Sequence, residues 1–191
     1  MAKSEKLMPQ IQKWEGGYAN HPNDKGGCTM KGITIGTYRE FFGDSKTCSD
    51  LKNITDEEWL NIFEEGYWNP MCANDIENQS VANIIVDWAW MSGVKNVSKK
   101  IQTLIGVEAD GIFGKQTISK INSMDSKDIF DKIVKRREKF YHDICEKNPS
   151  QEVFLKGWLN RLNDYEYEEE NQIDEYIIES PTKWIFKRGN K

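Results

Sequence analysis

The stretch of sequence that decides the fold is Trp14-Glu15-Gly16-Gly17-Tyr18, in which a carboxylate ends a predicted helix (residues 4–14) and two glycines follow it. Apolar residues recur along this helix at three- and four-residue spacing, which predicts one buried stripe. Glu15 falls on that stripe, four residues after Ile11. Burial disfavours an ionised carboxylate, and so does the partial negative charge at a helix C-terminus. Both effects favour the protonated form, which a general acid needs.

The segment behind this helix, residues 16–33, is rich in Gly, Asn, Asp and Pro, which predicts a loop or a short irregular hairpin. It contains Asp24 and, in a Gly-Gly-Cys-Thr turn, Thr29. Because glycines let the backbone fold tightly back, we expect Asp24 or Thr29 to face Glu15 across a cleft. A carboxylic acid opposite a group that positions water is the arrangement of an inverting glycosidase.

Several side chains near this cleft are candidate substrate contacts, because aromatic rings can stack on sugar rings and amides can bind hydroxyl groups. These residues are Tyr18, Asn20, Tyr38, Tyr67, Trp68 and Trp90. Three other polar residues have a structural interpretation. Asp87, in an apolar helix, is expected to be a buried acid bonded to a Trp N–H or a backbone amide. Asp110 is expected to form a turn before Gly111, and Arg161 is expected to be a salt-bridge partner.

The remaining sequence predicts a mainly α fold with few and short strands. Predicted helices cover roughly 35–42, 56–67, 80–92, 97–105, 117–121, 126–145 and 150–162. The helix at 80–92 is apolar nearly all round, which predicts a central position. Two short β-like runs near the end predict a small terminal hairpin at 176–186.

Composition excludes several classes of protein. The sequence contains no run of about 18 apolar residues, so no membrane span is expected. The net charge is −5, whereas a nucleic-acid-binding protein is typically basic. Residues 164–179 hold eight acidic residues and no Lys or Arg, a pattern typical of a solvated face. The first residues lack the apolar core of a signal peptide, so we expect a cytoplasmic protein until it is released or exported without a cleaved signal.

The four cysteines suggest neither a metal site nor a disulfide framework. They are Cys28, Cys48, Cys72 and Cys145. None of them forms a CxxC pair, and the two histidines lie far apart in the sequence, so no zinc site is expected. A chain of this length without a signal peptide is expected to carry free thiols.

The residues after Glu15 carry a family resemblance. Residues 14–18, followed by 20–29 and Gly32-Ile33-Thr34, resemble the glycoside hydrolase 108 family of peptidoglycan N-acetylmuramidases. The C-terminal half resembles the predicted peptidoglycan-binding segment that accompanies this family. The motifs that carry this second likeness are Ile101-Gln102, residues 109–114 with Thr117, Arg137, and residues 157–161. The likeness covers roughly residues 5–165, and the order Glu15, Asp24, Thr29 also resembles that of phage-type lysozymes.

This resemblance implies a lysozyme-like α fold and cleavage of the β-1,4 bond between N-acetylmuramic acid and N-acetylglucosamine, with Glu15 as the catalytic acid. It implies an endolysin or secretion-aiding lysozyme of phage or prophage type. Residues 1–93 are expected to form the catalytic region, 94–165 a peptidoglycan-binding helical region, and 166–191 an acidic then basic extension. We expect a monomer that binds cell-wall peptidoglycan, without nucleic acid, metal or cofactor.

Two other functions remain as alternative hypotheses. One is a thiol peptidase or amidase acting on the peptide part of the wall, with Cys28 as nucleophile and His142 as base. The other is a peptidoglycan-binding module without catalytic activity. Replacing Cys28 by serine tests the first hypothesis, and replacing Glu15 by glutamine tests the second.

Overall fold

The structure is a computed structural model that describes residues 1–20 and 27–169. This part of the chain contains nine α-helices and one antiparallel pair of short strands. In chain order these elements are α1 (Ser4–Trp14), β1 (Thr29–Met30), β2 (Ile33–Thr34), α2 (Ile35–Phe42), α3 (Cys48–Lys52), α4 (Asp56–Phe63), α5 (Gln79–Ser92), α6 (Val94–Ile105), α7 (Lys115–Asn122), α8 (Ser126–Lys147) and α9 (Glu152–Asn163). The prediction of a mainly α fold with a short hairpin after the first helix is confirmed.

The helix ends follow local capping chemistry. The Thr34 side chain accepts a hydrogen bond from the Thr37 amide and begins α2, and Thr55 with Glu58 forms a capping box that begins α4. Several boundaries differ from the prediction: for example, α4 ends at Phe63 rather than at residue 67, and α6 begins at Val94 rather than at residue 97. Helix α3 lies in a stretch for which no helix was predicted, and the residue that caps α8 is Asp125. The predicted terminal hairpin at 176–186 lies outside the described residues.

Helix α5 is the central helix, as its apolar composition predicts. Its side chains are buried on almost every side, with Ile84, Ile85 and Trp88 fully buried. It packs against both α6 and α8, so residues from the N-terminal and C-terminal halves of the described chain share one hydrophobic core. No helix among the described residues is long and apolar enough to cross a membrane.

A buried ion cluster joins three helices. Asp87 of α5 accepts hydrogen bonds from Arg137 of α8 at 2.6 Å and from Arg161 of α9 at 2.6 and 3.0 Å. Burial alone would raise the pKa of Asp87, but the two guanidinium groups hold that pKa below its usual value. The expectation that Asp87 bonds to a Trp N–H or a backbone amide is therefore wrong, because two arginines distant in sequence supply the donors instead.

The hairpin after α1 has a two-residue turn. Met30 pairs with Ile33 in the ladder, and the two residues between them, Lys31 and Gly32, have φ values of 48° and 78°. Positive φ at both positions is the pattern of a type I′ turn, which matches the twist of a hairpin. The Lys31 amide also donates to the Gly16 carbonyl at 3.2 Å, which ties this turn to the residue after Glu15.

The cysteine prediction is wrong for one pair. Cys28 and Cys48 form a disulfide that joins the residue before β1 to the first residue of α3. The expectation of free thiols rested on general properties such as chain length, which say nothing about which cysteines the fold brings together. Cys72 and Cys145 are free, as expected.

Removal of this disulfide should destabilise the protein. The cysteines lie 20 residues apart in sequence, and a closed loop of that length is worth about 3 kcal/mol of unfolding free energy. We expect the double variant Cys28→Ser/Cys48→Ser to lose about that amount in urea denaturation. The matched control is Cys145→Ser, which removes a free thiol and should change stability by less than about 0.5 kcal/mol. If the double variant is as stable as the unmodified protein under both oxidising and non-oxidising conditions, that result contradicts the pairing of Cys28 with Cys48.

The ion cluster makes a second stability prediction. Asp87→Asn leaves the guanidinium of Arg137, which is fully buried, without a charged partner, so we expect a loss of about 3 kcal/mol in unfolding free energy. Asp128→Asn breaks an exposed ion pair with Lys132 and should cost less than about 0.5 kcal/mol.

The same pair of variants has a pH signature. Because the folded protein lowers the pKa of Asp87, this group contributes stability above pH about 4 and loses it as the pH falls through the lowered pKa. Chemical denaturation between pH 2 and 7 should therefore show a smaller acid-induced loss of stability in Asp87→Asn than in Asp128→Asn. Equal losses in the two variants would argue against a paired, ionised Asp87.

Candidate active site

Glu15 lies where α1 ends and the chain turns away. Its backbone N–H still donates to the Ile11 carbonyl at 3.1 Å, but its own ψ of 140° is extended, so the helix stops here. The side chain is mostly buried, with 18% of its surface exposed. The predicted position of this carboxyl, at the end of a helix and on its buried side, is therefore the observed one.

The two oxygens of the Glu15 carboxyl have different surroundings. Oε1 accepts one hydrogen bond from the indole N–H of Trp90 at 2.7 Å and another from Arg161 at 2.8 Å. Oε2 faces the turn of the hairpin. A carboxyl held in this way has a fixed orientation, because both donors act on the same oxygen and come from different helices.

Gly32 allows the hairpin turn to approach this carboxyl. A Cβ atom at this position would lie 2.7 Å from Glu15 Oε2 and 2.8 Å from Cζ2 of Trp90. These separations are shorter than any normal contact, and the φ of 78° also disfavours an L side chain. Glycine is therefore required both for the turn and for the space around Oε2.

Aromatic rings form one side of the site. The Trp90 ring lies 4.7 Å from that of Tyr67, 5.6 Å from that of Trp59 and 5.9 Å from that of Phe63, measured between centroids. The indole N–H of Trp59 donates to the Lys31 carbonyl at 2.9 Å and so fixes the hairpin turn. Burial raises the pKa of Tyr67, and the charge of Glu15 raises it further.

Arg161 connects the site to the buried ion cluster. Its NH1 group donates to Glu15, while its Nε and NH2 groups both donate to Asp87. Asp87 is in turn held by Arg137, whose Nε donates to the Tyr141 hydroxyl at 2.7 Å. Glu15 is therefore the outermost member of a hydrogen-bonded chain that begins in the core.

A second contact links the same two chain segments. Asp164, the residue that caps the end of α9, accepts hydrogen bonds from the Trp14 indole N–H at 2.9 Å and from Lys13. The Asp164 carbonyl also accepts a hydrogen bond from the side chain of Gln10. The end of α9 thus contacts the end of α1 at Gln10, Lys13 and Trp14.

Two of the predicted substrate contacts lie at the carboxyl and two others lie in the core. Trp90 and Tyr67 are partly exposed beside Glu15. The predictions for Tyr38 and Trp68 are wrong, because both rings are buried and closed to a sugar. The Tyr38 hydroxyl donates to Glu58, and burial together with this hydrogen bond raises the pKa of Tyr38 to about 12.

The remaining predicted contacts lie at the surface. Tyr18 is exposed, with the Lys52 ammonium 5.5 Å from its ring centroid, and Asn20 is exposed as well. Thr29 is partly buried in β1, where its backbone pairs with Ala19. Asp24 lies outside the described residues. The choice between Asp24 and Thr29 as second catalytic group stays a prediction.

The thiol hypothesis does not fit the structure. The sulfur of Cys28 is bonded to Cys48, and the residue is fully buried, so it presents no thiolate to a substrate. His142 lies on α8. Asp110 has the structural role expected of it, because its carboxylate accepts hydrogen bonds from the Ile112 amide and from Gln102.

The sequence did not indicate the contacts of Arg161, Asp164 and Gly32 with the Trp14-Glu15 pair. Arg161 was expected to be a salt-bridge partner, which is confirmed, but 146 residues separate it from Glu15 and no spacing pattern shows that contact. Gly32 was part of a recognised motif, yet only its position at the tip of the hairpin explains the requirement for glycine. Asp164 was grouped with the acidic run that follows it.

The site around the Glu15 carboxyl is not identified by the size of a surface cavity. Two surface cavities, of about 400 and 630 Å³, are lined by residues that do not include Glu15. Among the residues that the structure describes, no group of three or more His, Cys, Asp or Glu could hold a metal ion. The candidate active site is therefore defined by the geometry around the Glu15 carboxyl.

Comparison with known proteins identifies the family. Residues 8–93 match the family Glycosyl hydrolase 108, and residues 96–163 match a predicted peptidoglycan domain. No curated protein matches the chain. The solved structure of SagA from Brucella abortus is similar, with a TM-score of 0.69 and 29% sequence identity over 85% of this chain and 90% of that chain. The predicted lysozyme-like fold is confirmed by this similarity. Residues 8–93 therefore belong to the glycosyl hydrolase 108 family, and the chain is a glycoside hydrolase that acts on peptidoglycan.

Proposed function

We propose that this protein is an N-acetylmuramidase that hydrolyses the β-1,4 bond between N-acetylmuramic acid and N-acetylglucosamine, with Glu15 as the general acid. The observation that carries the proposal is the Glu15 carboxyl, largely buried and fixed through Oε1 by Trp90 and Arg161. The endolysin role in phages or prophages that the family resemblance implies is part of the same proposal.

The two oxygens of the Glu15 carboxyl have different roles in the proposed reaction. Oε1 already accepts two N–H groups, so a proton added there would meet donors rather than acceptors. The transferable proton therefore belongs on Oε2, the oxygen beside Gly32. From there it passes to the glycosidic oxygen as the bond to the departing sugar breaks, which is the acid step of glycoside hydrolysis.

The second half of the reaction needs a group that activates or positions water on the opposite face of the sugar. We propose Asp24 or Thr29 for this role, as the sequence predicts. Thr29 belongs to the hairpin whose turn contacts Glu15, which supports its inclusion, and Asp24 lies in the segment that leads into that hairpin. Asp24 and Thr29 belong to the same short piece of sequence.

The aromatic side of the site supplies contacts for the sugar. Tyr67 and Trp90 are partly exposed next to the carboxyl, and their ring edges and faces can contact a pyranose. Tyr18 and Asn20, at the surface of the segment after Glu15, extend the proposed binding region. This arrangement supports a glycan strand bound along the hairpin rather than a peptide bound at a thiol.

The first test replaces Glu15 by glutamine, which retains the shape of the side chain and removes the proton donor. We expect the rate of cleavage of purified peptidoglycan to fall by about 10³-fold, while wall binding in a pull-down assay is retained. Glu108→Gln, at an exposed carboxylate, is the matched control and should cleave at the normal rate. A Glu15→Gln variant that is as active as the unmodified protein would exclude Glu15 as the acid.

Mass analysis of the released fragments tests the bond and the reaction type. Reducing N-acetylmuramic acid ends are expected. Reducing N-acetylglucosamine ends would place the cleavage at the other glycosidic bond, and anhydromuramic ends would show a transglycosylase. An unmodified protein that binds walls and releases no fragments would support the binding-module hypothesis instead.

The second test concerns the space beside Oε2. Gly32→Ala places a methyl group 2.7 Å from that oxygen and 2.8 Å from Trp90, so we expect the cleavage rate to fall by about 100-fold. The strained φ should also cost about 1 to 2 kcal/mol of stability. Gly157→Ala, in an open position within α9, is the control and should cleave normally. Full activity in Gly32→Ala would show that the turn does not shape the site.

A further inference from the structure

We infer that Arg161 is a positioning residue for Glu15, and that α9 completes the active site rather than serving only to hold the cell wall. This inference rests on the proposed role of Glu15 as the acid. It crosses the boundary between the two matched families, because Glu15 lies in the segment 8–93 and Arg161 lies in the segment 96–163. The segment described as a predicted peptidoglycan domain would then have a direct part in the reaction.

The first step is the geometry of the guanidinium. Arg161 directs Nε and NH2 to one oxygen of Asp87 and NH1 to Oε1 of Glu15. A guanidinium is planar and its donors point in fixed directions, so the contact with Asp87 sets the direction of NH1. Asp87 is itself fixed by Arg137. The contact with Asp87 therefore fixes the guanidinium of Arg161, and the Arg161 side chain is only 5% exposed.

The second step is that Glu15 needs such a support. It stands at the end of α1 and is followed by Gly16 and Gly17, around which there is open space. The backbone behind the carboxyl is consequently held at few points, such as the Gly16 carbonyl that accepts from Lys31. Two donors on one oxygen therefore fix the orientation of the Glu15 side chain.

The third step is charge. Asp87 and Arg137 neutralise each other, so the remaining positive charge of Arg161 is balanced when Glu15 is ionised. Glu15 becomes ionised at the moment it gives its proton to the departing sugar oxygen. Arg161 thus stabilises the carboxylate that forms in the transition state, and a charge placed in advance for that purpose costs little reorganisation. The positioning effect of Arg161 and its charge both act on Oε1 of Glu15.

The end of α9 adds a second attachment. Asp164 accepts the indole N–H of Trp14, the residue before Glu15, and pairs with Lys13. These contacts fix the last turn of α1 against the last turn of α9. Movement of α9 relative to α1 would therefore displace the proposed acid directly.

The test compares Arg161→Gln, Arg161→Lys and the matched control Arg39→Gln, which alters an exposed arginine on α2. Circular dichroism first establishes that each variant is folded. For Arg161→Gln we expect kcat on soluble glycan fragments to fall by about 100-fold, with KM changed by less than about threefold. Arg161→Lys should be intermediate, because an ammonium group has no fork and cannot hold both carboxylates. Arg39→Gln should match the unmodified protein.

A second measurement does not depend on activity. The indole N–H of Trp90 donates to the same oxygen of Glu15, so its ¹H–¹⁵N signal reports the position of that carboxyl. The signal is assigned by its loss in Trp90→Phe. We expect Arg161→Gln to shift it in the way that Glu15→Gln does, and Arg39→Gln to leave it unchanged.

The two readouts separate the possible failures. A folded Arg161→Gln variant with normal kcat and an unshifted Trp90 signal would overturn the positioning role. If the unmodified protein releases no muramic acid ends, the proposed function fails, and the Trp90 signal still decides whether Arg161 holds Glu15. If Arg161→Gln does not fold, the kcat and Trp90 signal of Arg161→Lys decide in its place, and normal values of both would overturn the inference.

Discussion

The guanidinium of Arg161, shared between Asp87 and Glu15, is the interaction on which the rest of the structure depends. Burying a carboxylate such as Asp87 is costly unless charged donors surround it, and Arg137 and Arg161 supply those donors from two different helices. The packing of α5, α8 and α9 therefore has to bring these side chains to one point. Once that is done, the NH1 group of Arg161 remains, and it reaches Glu15 at the end of α1.

The hairpin closes the site from the other side, and it does so with backbone rather than with side chains. Its turn is fixed by the Trp59 indole N–H on the Lys31 carbonyl and by the Lys31 amide on the Gly16 carbonyl. Behind it, the Cys28–Cys48 disulfide connects the residue before β1 to α3. A loop so held can place a glycine against a carboxyl without a long helix or sheet to support it. The short sheet is sufficient because its neighbours provide most of the constraint.

The sequence predicted what depends on local chemistry, and much of the fold does. Capping residues such as Thr34 and Thr55 set helix ends through contacts three residues away, so their pattern is visible in the chain. The prediction for Trp68 failed at a point where the helical period changes. A π-helical segment, Glu64–Trp68, follows α4 with the Asn69 amide donating to the Glu64 carbonyl. In that segment Trp68 lies in the core and Tyr67 beside Trp90.

The contacts of Arg161 and the disulfide were beyond prediction for a different reason, because they join residues that only the tertiary fold brings together. The expectations for Glu15 considered burial and the helix end, and did not include a contact with a guanidinium from 146 residues away. The boundary between the two family matches falls near the junction of α5 and α6. The ion cluster spans this boundary, because Asp87 lies in the first matched segment and both arginines lie in the second. Without the second segment, Asp87 would lack both cationic partners, and Glu15 would keep only the Trp90 hydrogen bond. Catalytic geometry and the stability of the core therefore depend on the same few atoms.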